Sequence, residues 1–464
     1  MTTMMNHELS KKIDNAPYLI VVPDGTGSKG DEAMIAGCLN LLHGMKAFLI
    51  TPNQKLWSDV LIGYTHLFDE AFVPTEQLPT LFDKPRKLIV IGADTMDGSC
   101  GYEEAYWRCE AVKAAVEHGG EAVVFCSIRS DMEERLVQEW KTVSPKVKVF
   151  LRDTVSEKNF SHQTGRTGGY FPDLSFFTSS NQTERAHSFY SKLQEKFSGK
   201  RIIGLNISET MFRSFYTEIT DENRVEFARN IAMLAVQGVS AKDSAVLLLC
   251  HDTRSWDAQW SDYQFACAAQ EYLKSTIGID CIAQPPELTQ AELRTIVSLC
   301  DVVICGRMHM SVTSCLSGVV PIVVAGKGKN YTMTDKVRGM CREWLGTDEN
   351  MIENLHQIPL KRDLVLQDGK WRKSLKQKLE QLPQISDSAD TKFEKILGVK
   401  SVEWNPQIAH EVALMRAMQR SAELAQKAVE QKTTISNKEG HIQILLQSER
   451  DLQGQVQTLN AQRS

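Results

Sequence analysis

The sequence predicts an α/β protein of two doubly wound, Rossmann-like domains, followed by a helical tail. Three observations carry that prediction. Short uninterrupted Val/Ile/Leu runs alternate with helical patterns through the first half of the chain; a polar stretch at 178–200 breaks the rhythm; a second series of the same kind then runs to about residue 360. Strands apolar on both faces and separated by helices belong to parallel sheets covered on both sides. At 464 residues the chain also exceeds what one core fills comfortably.

In the first domain, 1–198, the strands fall at Tyr18–Val22, Met45–Ile50, Lys87–Gly92, Ala122–Cys126 and Val147–Leu151. Asp31–His43, Tyr102–His118 and Met132–Thr142 read as helices between them. The second domain, 199–360, repeats the pattern with strands at Arg201–Ile207, Ala245–Cys250, Ile279–Ala283, Asp301–Cys305 and Val319–Ala325. Its helices fall at Asn223–Gln237, Tyr263–Ser275, Gln290–Ser298, Met308–Leu316 and Met333–Leu345. Two such domains facing each other over a cleft make a GT-B-like architecture.

Beyond residue 360 the alternation stops. Residues 361–407 read as a lysine-rich helix, Trp371–Gln381, and a Pro/Ser/Asp linker at 383–391. From Ile408 to Ser464 the chain has no proline. An a/d series of Ile435, Lys438, Ile442, Leu445, Glu449, Leu452, Val456 and Leu459 predicts a coiled coil that self-associates or docks on a partner. An amphipathic helix folded back on the body is the alternative. The chain ends within this pattern, as a fragment of a longer protein would.

Composition narrows the function classes. Hydrophobic content of 42% and charged content of 24% are ordinary for a globular protein, and a net charge of −5 gives no basis for a nucleic-acid partner. The eleven cysteines show no C-x-x-C spacing and many sit in apolar runs, as expected of buried thiols in the reducing cytoplasm. The N-terminal stretch lacks the apolar core of a signal peptide, and no run is long enough to span a membrane.

The first strand leads into "PDGTGSKGDEAMI", which contains Gly25-x-Gly27-x-x-Gly30. A dinucleotide site would need an acid at the end of the second strand, where Thr51, Pro52 and Asn53 stand instead. Asp31 and Glu32 would repel a pyrophosphate at this helix start. The stretch therefore reads as a strand-to-helix turn, with glycines for tight geometry and Asp31 as cap, whose acids are free to bind sugar hydroxyls.

The second domain carries the stronger signal. In "CDVVICGRMHMSVTSCLSGVVPIVVAGKGKN", strand 301–305 ends at Gly306, and Arg307 and His309 open a helix at the carboxyl edge of a parallel sheet. Arg307 offers a planar fork for phosphate or carboxylate, and His309 a proton carrier near neutral pH. No carboxylate stands between Asp301 and Asp335, while Arg307, Lys327 and Lys329 do. That predicts a bare cationic field for a small anionic donor.

These pieces, in order, resemble the polysaccharide pyruvyl transferases: "GSKGDEAMI" (27–35), "LIVIGAD" (88–94), "LRDTVS" (151–156), "FPDLSFF" (171–177), "IIGLNIS" (202–208) and "DVVICGRMHMSVTSCLSGVVPIVV" (301–324). The resemblance spans about 27 to 340. It departs where that family is glycine-rich and this chain has Ala93 and Asp94. It implies a metal-independent enzyme without a cofactor, which takes phosphoenolpyruvate as donor and a sugar or lipid-linked oligosaccharide as acceptor. Arg307, His309, Arg152, Lys327 and Lys329 would hold the donor, with His309 and Arg307 catalytic. Gly30, Asp31, Glu32 and Asp94 would line the acceptor side. His162 and Arg166, in a Gly-rich loop after the fifth strand that would open on the cleft, are either further donor contacts or plain loop residues. His251 and Asp252 after "VLLLC" would line the acceptor side, and Trp256 and Trp260 would stack on a sugar face or simply pack. Two other readings stand beside this one: a GT-B nucleotide-sugar glycosyltransferase of surface-glycan synthesis, and a non-catalytic scaffold acting through its tail.

Overall fold

A computed structural model describes residues 11–397, apart from 12, 24–25, 52–56, 180–182, 255–258, 260 and 329–333. The coiled-coil tail, Lys329, Trp256 and Trp260 lie outside the described residues. The N-terminal domain runs β1 (Tyr18–Val21), α1 (Lys29–Leu41), β2 (Ala47–Thr51), β3 (Phe68–Phe72), β4 (Lys87–Ala93), α2 (Tyr102–Glu117), β5 (Glu121–Cys126), α3 (Glu134–Thr142), β6 (Lys148–Leu151), α4 (Thr154–Thr164) and β7 (Gly169–Tyr170). Its seven strands pair in the order β3-β2-β1-β4-β5-β6-β7, all parallel.

Alternate residues of each strand feed opposite faces, as the pleat requires. Ile20, Ile89 and Ile91 join one buried cluster, and Leu19, Val21, Leu88 and Val90 join the other. This is why the strands read as unbroken apolar runs. The exception is β3, "FDEAF", an edge strand whose middle residues are at least part-exposed, so it carries no such signal.

Helix α5 (Glu184–Lys196) leads into the second domain. There β8 (Arg201–Asn206), α6 (Glu209–Arg213), α7 (Asp221–Val236), β9 (Ser244–Leu248), α8 (Asp262–Tyr272), β10 (Asp280–Ala283), α9 (Gln290–Val297), β11 (Val302–Cys305), α10 (Met308–Leu316), β12 (Pro321–Val324), α11 (Thr334–Leu345) and β13 (Met351–Ile352) follow. The sheet order β10-β9-β8-β11-β12-β13, again parallel, repeats the doubly wound plan of the first.

Two sequence expectations change here. The segment around His162 is not a loop: Asp153 caps α4 by accepting from the Ser156 amide at 2.8 Å, and Gly165 closes it in the left-handed region. His162 is exposed on that helix. Arg166 donates to the carbonyl of Trp140 in the last turn of α3 and to those of Val143 and Ser144 on the loop leading into β6, at the amino end of the sheet. Neither opens on a cleft at the carboxyl edge.

The linker expected at 383–391 is helix as well. After α12 (Ile358–Gln367), α13 runs unbroken over Gly369–Leu397 through Pro383. Trp371 and Leu375 lie in the second domain's core, and Ala389, Phe393, Ile396 and Leu397 in the first domain's. Lys87 and Lys148 donate to the terminal carbonyls of Leu397 and Ile396 at 2.9 and 2.6 Å. Packing at both ends thus outweighs the one backbone bond that Pro383 removes. Among the described residues no helix is long and apolar enough to cross a membrane.

Helix α1 is pinned tightly. A β-carbon added at Gly37 would fall on the Leu174 carbonyl of the turn Leu174–Phe177, and Asn40 donates to the Phe177 carbonyl at 2.8 Å. Gly37→Ala is expected to destabilise the protein by about 1–3 kcal/mol, as overpacking does. Urea unfolding checks this, and a neutral result would mean that α1 does not rest on this turn.

Candidate active site

The carboxyl edges of the two sheets meet at α1. Gly27, with φ of +107°, turns the chain, and Ser28 caps α1 by accepting from the Asp31 amide. This turn docks on the loop after β9: the Lys29 amide donates to the His251 carbonyl at 2.9 Å, and the Thr253 amide to the Gly27 carbonyl at 2.8 Å. Ser28 and Asp252 form an antiparallel bridge between these bonds. Next along, Glu32 is 2% exposed. Its Oε2 accepts from the Gln290 amide at the start of α9 at 3.1 Å, and its Oε1 from Lys29 at 3.0 Å. Glu32, expected to face the acceptor, is thus buried and spent on joining the domains. Asp31 is also buried, at 8%.

Gly30 explains itself differently from Gly27. Its φ is not positive, yet a β-carbon there would collide with the His309 ring at Nδ1. The glycine is a matter of close approach, not of turn geometry, and it brings the first domain against the histidine of the second.

Arg307 is the N-cap of α10, with no side-chain capping bond, and His309 stands in the first turn. Arg307 does not present a bare charge. Its Nε and Nη2 lie 2.8 Å from Asp262 Oδ1, and its Nη1 lies 3.2 Å from Asp252 Oδ2. Asp252 also takes Arg254 at 2.9 Å. The expectation of an uncompensated cationic field is therefore corrected. Residues 302–334 hold no carboxylate, but Asp252 in the loop after β9 and Asp262 at the start of α8 supply them. Burial pushes Asp262 up, opposed by Arg307 and by Asn206, which donates to it at 2.8 Å.

Facing His309 from the first domain is Asp173. Its Oδ2 lies 3.4 Å from His309 Nε2 and accepts from Arg152 Nη1 at 3.1 Å, while Oδ1 takes the Ser175 amide and hydroxyl at 2.9 and 2.6 Å. Burial works to raise Asp173, but His309, Arg152 and Ser175 outweigh it and hold the carboxyl well below the usual range. Burial pulls Arg152 down, but Asp173, Asp94 and Asp153 outweigh it and raise it, and its Nε is buried without a partner among the described residues. Half-buried Asp94 follows Ala93, which holds a φ of +43°.

His251 lies beneath. Thr313 donates its hydroxyl proton to the His309 carbonyl at 3.0 Å, so His251 Nε2, 3.1 Å from that hydroxyl, must carry the hydrogen. His251 is thus a neutral support for the α10 start.

The structure brings together Gly30, Asp31, Glu32, His251, Arg307 and His309, with Arg152 joined through Asp173. It leaves His162 and Arg166 elsewhere, and Lys327 is exposed after β12. Sequence reasoning gave no role to Lys29, Asp173, Arg254 or Asp262. Asp173 had a signal in "FPDLSFF", since Asp-x-Ser is a side-chain-to-backbone turn.

Gly30→Ala is expected to lower activity about 100-fold by displacing His309, with the fold retained. Circular dichroism alongside activity checks this, and wild-type rates would refute the contact. His251 gives a pH prediction. Burial first, then His309, Arg307 and Lys29, hold its pKa well below 6.5. Its contribution to stability is complete above pH 6.5 and falls away below it, toward the depressed folded value, at up to about 1.4 kcal/mol per pH unit. Urea titrations between about pH 7.5 and about pH 5.5 should show that slope reduced in His251→Gln.

No family model matches the chain, and no curated protein matches it. Solved structures do. A protein from Anabaena, HepE, in complex with UDP and glucose, is 9% identical with a TM-score of 0.52, covering 83% of this chain and 100% of that one. A glycosyltransferase from Rickettsia africae is 11% identical with a TM-score of 0.50 over 83% and 100%. The N-terminal domain of Candida albicans trehalose-6-phosphate phosphatase is 8% identical with a TM-score of 0.52 over 82% and 97%. At these identities they show the fold alone: two Rossmann-like domains in the GT-B arrangement.

Proposed function

We propose that the chain is a transferase that moves a group from an anionic donor to a sugar hydroxyl between its two domains. The Asp173–His309 pair carries this reading. A carboxylate held ionised beside an imidazole stabilises the imidazolium, so His309 can take a proton from an attacking hydroxyl or give one up. The first turn of α10, where Arg307 supplies no cap, offers backbone amides to the donor's anion.

The sequence resemblance supports phosphoenolpyruvate as that donor. Its methylene carbon gains a proton and becomes methyl, two sugar hydroxyls bond to the adjacent carbon in turn, and phosphate leaves with its C–O bond broken. The acceptor loses two protons, one matched by the methylene and one carried off with phosphate. In this reading Asp31 and Asp94 would face the acceptor. A nucleotide sugar is the second reading. It is supported by the GT-B neighbours, HepE with UDP and glucose among them, and by Asp252 and Asp262, which supply carboxylates beside Arg307.

Thermal shifts with phosphoenolpyruvate and with UDP- and CMP-sugars separate the two, followed by mass spectrometry of sugars incubated with each donor. Stabilisation by nucleotide sugars alone would overturn pyruvyl transfer. His309→Ala and Asp173→Asn are each expected to lower turnover at least about 100-fold, as loss of a general acid–base does. Undiminished turnover in both would overturn the transferase reading itself.

A further inference from the structure

Away from the interdomain site, helices α5, α9 and α10 border an open surface cavity of about 410 Å³, lined by His187, Tyr190, Arg294, Thr295, Ser298, Leu316 and Ser317. Its lining has an arginine, a histidine and four hydroxyl-bearing residues but, among the described residues, no carboxylate. Arg294 donates Nη1 to the Thr178 carbonyl at 2.7 Å and Nη2 to the Leu316 carbonyl at 3.3 Å, and its Nε is buried without a partner among the described residues.

Arg362 makes a similar clasp on the carbonyls of Ala235 and Gln237, but Asp363 stands 2.8 Å from it. Arg307 and Arg152 likewise have carboxylates. Arg294 has none among the described residues. Burial pulls its pKa down, as it does that of Arg166; in Arg307 and Arg152 the same pull is outweighed by the neighbouring carboxylates. A part-buried guanidinium without a counter-charge is costly, and an oxyanion entering the cavity would offset that cost.

We propose that this cavity is a second ligand site, for a phosphate-class oxyanion, seated on Arg294 with His187 and the hydroxyls of Tyr190 and Thr295, since Ser298 and Ser317 give their hydroxyl protons to backbone carbonyls. It is larger than inorganic phosphate requires, which leaves room for a small phosphate ester. The site does not depend on the reaction proposed above.

The test is thermal stability of the full chain against inorganic phosphate, with sodium chloride at matched ionic strength as control. A saturable rise of a few degrees, on the order of what millimolar binding gives, is expected in the wild type. His187→Glu places a carboxylate in the cavity from an exposed position in the first turn of α5, where an acid suits the helix. It should abolish the rise while leaving a folded protein, as should Arg294→Gln. His309→Ala should retain the rise, since it alters only the interdomain site. Glucose 6-phosphate acting at lower concentration than phosphate would identify a sugar ester as the ligand class, and equal potency the bare anion. The proposal is overturned if chloride matches phosphate, if the rise survives His187→Glu, or if it disappears only in His309→Ala.

Discussion

The buried pair of Asp262 and Arg307 organises the rest of the site. Asp262 accepts not only from the guanidinium but from the amides of His251 and Asp252, at 3.0 and 3.1 Å, and from Asn206. It therefore sets the path of the loop after β9. That loop receives the turn before α1, and that turn places Gly30 against His309. Removing either partner of a buried pair leaves an uncompensated charge, at a cost of about 3–5 kcal/mol. Here the damage would pass from loop to domain contact to histidine.

Cations and carboxylates around this centre come in partnered sets: Arg307 with Asp262 and Asp252, Arg254 with Asp252, Arg152 with Asp173, Lys29 with Glu32. Such matching suits burial, since isolated charges would be prohibitive in a low dielectric. It also means that an anionic donor meets a neutralised field, not an attractive one. Discrimination must then come from geometry: the amides opening α10 and the orientation of the His309 ring, set by its contact with Asp173.

The fold was readable because its signal is local. Unbroken runs such as Leu88–Ile91 owe their pattern to burial on both sheet faces, and this survives in a single sequence. β3 escaped notice because an edge strand with Asp69 and Glu70 has one face to solvent. The linker at 383–391 was misread for a related reason. Pro383 and the Ser/Asp residues after it are poor helix formers locally, and the aromatic contacts of Phe393 with Phe125 and Phe171, at 5.7 and 5.9 Å, are not visible from sequence. Local propensity yields there to tertiary packing.

The site was legible only in part, and the division follows the same line. Arg307 and His309 could be placed because a strand, a glycine and a helix start fix them within one short segment. What surrounds them is assembled from segments far apart in the chain, 136 residues for Asp173 and His309 and 258 for Glu32 and Gln290. Lack of a carboxylate between Asp301 and Asp335 says nothing about Asp252 and Asp262, which follow β9 and reach Arg307 after β11 across the intervening strand β8. The three glycines of the opening motif show the limit plainly. A pattern records that Gly27 and Gly30 are both glycine, but only the first is required by its own backbone. The second is required by a histidine 279 residues later in the chain, and the spacing within the motif carries no trace of it.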